Sequence, residues 1–244
     1  MHHRLSRLWT TLVLLPFIGS CASPTIKHEY VISPGREFGP SIETALLLPL
    51  NETIETQAGL EQGKATTTAL LVEYLTSKGL AVEQPTTRDY RKAAEIAANV
   101  AQRELLAGES ASASEDLAFT DVIPHLLVAL ESNADIIVAP NMVLRTGKYG
   151  GAKSIRWDGV RRNERGTRGG NMTGTLPVAS LFVVLYDTEG IRIFSGYGGL
   201  DLLFQLNMGK RRYDLREDRL QNADHLAEGV CISLHPFFGH AEDC

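Results

Sequence analysis

From Thr44 onward the chain alternates short apolar runs with stretches of helical period. Thr44-Ala45-Leu46-Leu47-Leu48-Pro49-Leu50 is continuous and apolar, which predicts a strand buried on both faces. A helix is predicted over 64–77, with Ala65, Ala69, Val72 and Leu75 on one side, and Gly79 stands where a left-handed cap closes a helix. Leu80-Ala81-Val82-Glu83 predicts a second short strand, closed by Pro85. Thr86-x-x-Asp89 is a capping signal, and the helix behind it carries Ala93, Ile96, Ala97, Val100, Ala101 and Leu105 before Gly108. A third helix is predicted over 121–132, capped by Asp121, with Pro124 in its first turn. Asp135-Ile136-Ile137-Val138-Ala139 then predicts a buried strand that Pro140 stops.

The second half changes period. Runs at 142–145, 154–160, 178–186, 191–197 and 200–206 are apolar or alternating, and turn chemistry separates several of them, as in Asp187-Thr188-Glu189-Gly190. This predicts an antiparallel meander. Asp214-x-x-Glu217 is predicted to open a last helix, whose stripe of Leu220, Ala223, Leu226, Ala227, Val230, Cys231 and Leu234 ends at Pro236. Strand, helix, strand, two helices, strand, hairpins and a final helix define an α/β chain. The expected body is one domain over 42–244, a mixed sheet with helices packed on it.

The first 41 residues carry a different pattern. Arg4 and Arg7 precede an apolar stretch over 8–18, then Gly19, Ser20 and Cys21. That is the order of a secretory signal over 1–20, and its apolar core is about half the ~20 residues that span a bilayer. Ile18-Gly19-Ser20-Cys21 resembles the bacterial lipobox, which implies lipidation of Cys21 and a membrane anchor. Ala22 follows instead of an aspartate, which by the same resemblance favours the periplasmic leaflet of the outer membrane. Pro24, Pro34, Gly35, Gly39 and Pro40 predict a flexible tether over 21–41.

Composition narrows this picture. The chain of 244 residues has a net charge of -5, so a nucleic-acid partner is not expected, because neutralising phosphates requires a basic field. The lipobox, the strand ALLLPL, the strand GLAVE, the strand ADIIVAP and the hairpin LFVVLYDTEGIRIFSGYG together resemble a group of bacterial envelope proteins. That group includes the curli-secretion lipoprotein CsgG, the penicillin-binding-protein activator LpoB and the N-terminal domain of TolB. The resemblance covers roughly 42–235 as an order of elements. It implies a protein that assembles or activates other machines and is not an enzyme. Residues 178–186 are apolar on both faces, which argues against a membrane-inserting hairpin.

Gly59-Leu60-Glu61-Gln62-Gly63-Lys64-Ala65 has three residues between its glycines where a phosphate-binding loop needs four, and Ala65 stands where the metal-binding Ser or Thr belongs. No nucleophile elbow, zinc-protease helix or carboxylate pair is present, and no metal or other cofactor is expected. Cys231 and Cys244 are the cysteines left beside Cys21. A disulfide between them is the simplest reading in an oxidising compartment, with free thiols or a zinc site including His235 and His240 as alternatives. Two basic loops stand out, one with Arg161, Arg162, Arg165 and Arg168 and one with Lys210, Arg211 and Arg212. The first is the expected partner-binding surface, with Tyr149 and Trp157 as aromatic anchors. The sequence thus predicts a non-catalytic accessory lipoprotein that binds an envelope protein or peptidoglycan, and a homo-oligomer is compatible with that. An envelope hydrolase or transferase and a periplasmic small-ligand receptor are the alternatives.

Overall fold

The computed structural model describes residues 28–36, 38–51, 59–107, 118–149, 154–163, 174–207, 212–239 and 244. Its main sheet runs β1(Tyr30–Ile32), β8(Arg192–Leu202), β7(Thr175–Asp187), β4(Ile136–Tyr149), β2(Thr44–Leu47), β3(Ala81–Glu83), and β5(Ser154–Trp157) and β6(Val160–Asn163) curl off the far end of β4. β2 pairs parallel with β3 and β4, while β4, β7, β8 and β1 are mutually antiparallel. A separate ribbon joins β9(Phe204–Asn207) to β10(Arg212–Leu215). This is the predicted α/β class, parallel at one end of the sheet and antiparallel at the other.

Alternation along the central strands explains why they read as unbroken apolar runs. Ala45 and Leu47 of β2, with Ile136 and Val138 of β4, pack under α1(Lys64–Ser77) and α4(Ala223–Phe238). Leu46 and Leu48, with Ile137 and Ala139, face the other way, under α2(Thr87–Ala107) and α3(Phe119–Ala129). Successive side chains of a strand point to opposite faces, so a strand covered on both sides needs no polar position. Two predicted caps form: Thr86 Oγ1 accepts from Asp89 N at 3.1 Å, and Gly79 takes a φ of +87°. The third is corrected: α3 starts at Phe119, so Asp121 lies in its first turn and accepts from Ala118 N at 3.1 Å, and Pro124 falls inside the helix, past its first turn. No helix among the described residues is long and apolar enough to cross a membrane.

Five more expectations are corrected. The tether assigned to 21–41 is in part structural. β1 pairs with β8, Ser33 Oγ donates to Arg192 O, and Phe38 packs edge-on to Phe238 at 4.8 Å between ring centres. Pro140 does not stop its strand. Its carbonyl accepts from Asn51 N, and a residue's N–H and C=O point to the same side. The missing N–H therefore faces past the end of β2, where no ladder acceptor waits. The run 154–160 is a hairpin, because Asp158 and Gly159 take φ of +34° and +83° and turn the chain between β5 and β6. The last helix does not begin at Asp214, which lies in β10. Asn222 is its cap, and its side chain accepts from Asp224 N and His225 N. Pro236 lies inside that helix, and the imidazole Nδ1 of His235 meets Ile232 O, the carbonyl the proline leaves unbonded, at 3.2 Å.

Cys231 of α4 and Cys244 form a disulfide, with Cα atoms 5.7 Å apart. With both sulfurs in that bond, neither offers the thiolate that a zinc site would require. The signal segment 1–20, Cys21, Arg165, Arg168, Lys210 and Arg211 lie outside the described residues.

Candidate functional site

A cavity of about 580 Å³ opens where the β5–β6 hairpin, the end of β8, β9 and the first turns of α4 meet. A bulge builds it. Ser180 pairs with Gly199 but Ala179 pairs with Asp201, so Leu200 is an extra residue and Asp201 takes the place opposite Ala179, toward α4.

Asp201 is 1% exposed and fully engaged. Its Oδ1 accepts from Leu202 N at 2.8 Å and from Arg216 Nη1 at 3.3 Å, and lies 3.4 Å from His225 Nδ1. Its Oδ2 accepts from Leu220 N at 2.7 Å. Leu220 is a non-glycine residue at a φ of +57°, a conformation that costs on the order of 1 kcal/mol or more. The buried carboxylate therefore holds the strained turn that delivers the chain to α4. Burial works against the charge on Arg216, but hydrogen bonds and attraction to Asp218 and Asp201 outweigh it and raise its pKa above the ordinary guanidinium value.

The opposite wall is β6. Arg161 points outward and Arg162 inward, as strand alternation requires. The Arg162 side chain is 8% exposed; its Nη1 pairs with Glu228 at 2.7 Å and its Nη2 reaches His225 O at 3.4 Å. Its Nε is buried without a hydrogen-bond partner. Arg161 makes no ion pair among the described residues. The structure thus brings together two of the four predicted arginines, with one free and one locked to α4.

The predicted aromatic anchors are placed elsewhere. Trp157 is buried in a small cluster with Ile155, Val160 and Ile232, and its indole N–H donates to Ala179 O at 3.1 Å. It is a core residue of the hairpin and offers no surface to a partner. Tyr149, at the end of β4, shares a hydrogen bond of 2.8 Å with the hydroxyl of Tyr213 in β10. Sequence reasoning missed Asp201, Arg216, His225 and Glu228. The one available signal was Asp-Gly between two apolar runs, which would have marked the hairpin and set Arg161 and Arg162 beside a turn.

A second buried aspartate lies nearby in the curl. Asp158 is 7% exposed and accepts from Ser180 Oγ at 2.7 Å and from Arg145 Nε at 3.2 Å. Arg145 stacks over the Tyr197 ring at 4.2 Å and also pairs with Glu29, just before β1. This network ties the N-terminal segment to the sheet.

The cavity lining sets the chemistry. It includes three arginines and three carboxylates and, among the described residues, no Ser, Thr, Cys, Lys or Tyr that could serve as a nucleophile. The Asp201–His225 contact has the form of an oriented imidazole, yet Asp201 is already committed to the turn and to Arg216. The chain matches no protein-family model and no curated protein.

Proposed function

We propose that the protein is a lipid-anchored envelope protein that acts as a non-catalytic accessory factor, holding another envelope component in the arginine-lined cavity. The anchor part of this reading is supported by the lipobox and signal pattern ending at Cys21. The binding part is supported by one observation: a cavity of about 580 Å³ whose lining includes Arg161, which makes no ion pair among the described residues, and Arg162, which is locked to Glu228. Arginine is the cation that interfaces favour, because its fork forms paired hydrogen bonds at low entropic cost.

The test is a photo-crosslinkable residue at Gln205, an exposed position on the cavity rim. In intact cells the full chain is expected to fractionate with membranes and to give a discrete crosslinked envelope product that Arg161→Glu abolishes. A protein found free of membranes, or one giving no crosslinked product from Gln205, overturns the reading.

A further inference from the structure

We infer that the segment over 28–36, with Phe38, is a strap latched to the body by two stacked histidines, and that acid opens this strap as a unit while the rest of the chain stays folded. The strap is peripheral. β1 adds three residues to the border of the main sheet, beside β8, and Tyr30 and Val31 are about half exposed. At the two ends of the pairing, Ser33 N donates to Ile193 O at 2.9 Å and Tyr197 N donates to Glu29 O at 3.0 Å. Ile32 and Phe38 pack against the core. The ion pairs Glu29–Arg145 and Arg36–Asp187 each have an exposed member and add little. A short border segment held this way opens more readily than the strands behind it.

The latch lies where the strap begins. The His28 ring stacks on His235 of α4 at 5.1 Å between centres, with an angle of 26° between the planes, and meets the Tyr30 ring at the same distance. The Nε2 of His28 is buried without a hydrogen-bond partner. A neutral ring leaves a bare lone pair there; a protonated ring puts a charged N–H where nothing accepts it. A proton on His235 sets a second cation against the first. Lys78, just past α1, adds to the repulsion at His235. Asp158, in the turn between β5 and β6, and the backbone of Tyr197 favour the charged His28, and the backbone of Ile232 and Cys231 favours the charged His235. Glu29 and Arg145 neutralise each other. Burial outweighs the favourable contacts, and both rings titrate below the ordinary 6.5. The latched strap therefore holds fewer protons than the open one, so latching is full above that value and weakens as pH falls below it. His235 stays with the body, because Leu234, Phe237 and Phe238 fix its helix in the core. The strap is the part that leaves, baring the backbone groups of Phe194–Gly196 and uncovering Phe238.

The experiment is amide hydrogen exchange, read by NMR on the purified full-length protein at pH 7.5 and pH 5.5, with each rate corrected for the intrinsic pH dependence of exchange. That range lies above the ordinary carboxylate values, so Glu29 and Asp187 keep their charges. The amides of Ser33 and Tyr197 report the seam between β1 and β8; the amide of Leu48, which donates to Val138 O at 2.9 Å, reports the body. Opening at both seam amides is expected to rise about tenfold or more at pH 5.5, with Leu48 unchanged. His28→Gln combined with His235→Gln is expected to abolish that rise. If the double variant leaves the strap open already at pH 7.5, His28→Gln and His235→Gln alone decide, each with a smaller rise than wild type. Seam amides that do not respond to pH, a Leu48 amide that rises in step with them, or a rise that survives undiminished in the variants each overturns the latch.

Discussion

The two ends of the main sheet are stabilised in different ways. At the parallel end, Leu46, Leu48, Ile137 and Ala139 meet Ala93, Ala97, Ile123 and Leu126, an apolar cluster with the His125–Glu104 contact at its rim. Among the described residues the buried charged side chains, Asp158, Arg162 and Asp201, all lie at the antiparallel end. Burying a charge is costly unless it is paired and hydrogen-bonded, so the antiparallel end gives up stability to keep them. The three have fold contacts to make: Asp201 holds the turn before α4, Asp158 holds Arg145 and Ser180, and Arg162 locks β6 to α4.

The largest expected effect breaks the antiparallel end by shape alone. An added Cβ on Gly198 of β8 would lie 1.9 Å from Gly229 O of α4. Two backbones touch there with nothing between them, so the helix must lift for any side chain to fit. Gly198→Val is expected to cost more than about 4 kcal/mol, seen in urea melts as loss of cooperative unfolding. A well-folded Gly198→Val would mean that α4 is free to slide and the cavity wall is not fixed.

A pair of nearly isosteric changes sharpens the contrast between charge and volume. Asp201→Asn keeps the shape but leaves Arg216 beside a neutral group and puts an amide where Leu220 N needs an acceptor; about 3 kcal/mol is expected to be lost. Leu126→Met at the parallel end conserves volume and is expected to cost about 1 kcal/mol. Chemical denaturation of both variants checks the ratio, and equal losses would erase the distinction.

The smallest effect is on pH dependence, at the junction of the N-terminal segment and α4. The His28 ring stacks on His235 at 5.1 Å. Burial, then the charge of His235, lowers the pKa of His28; burial is also the main cause of lowering at His235. The folded protein therefore holds fewer protons than the unfolded chain between the lowered values and the ordinary 6.5. Stability is expected to be full above that ordinary value and to fall as pH drops below it. Thermal melts from pH 8 to pH 5 should show the fall, and His28→Gln with His235→Gln should flatten it.

The parallel end was legible from sequence because its rules are local. Apolar runs, caps and a left-handed glycine placed β2, α1, β3 and α2, and the stripe of α4 identified the helix that covers the meander. The antiparallel end was less so. Leu200 bulges out of register, and no spacing rule announces that Asp201 will then face α4 in place of its neighbour. The partner of Arg162, Glu228, lies on another element far along the chain, and charges so distant in sequence meet only through the fold. Trp157 read as an exposed anchor because it neighbours arginines, although strand alternation turned it inward. Pro140 read as a stop because its reach past the end of β2 depends on strand lengths set elsewhere.

A boundary drawn at residue 42 would remove the three residues that pair with Phe194–Gly196 of β8, together with Phe38 and its contact to Phe238. The other border of the sheet, β3, is three residues long and has little to offer a neighbour. A fragment starting at 42 would bare the backbone groups of Phe194–Gly196 and uncover Phe238 beside them. The segment that looks like a leash is in this sense part of the folded sheet, and recombinant work on the body is best begun at or before residue 28.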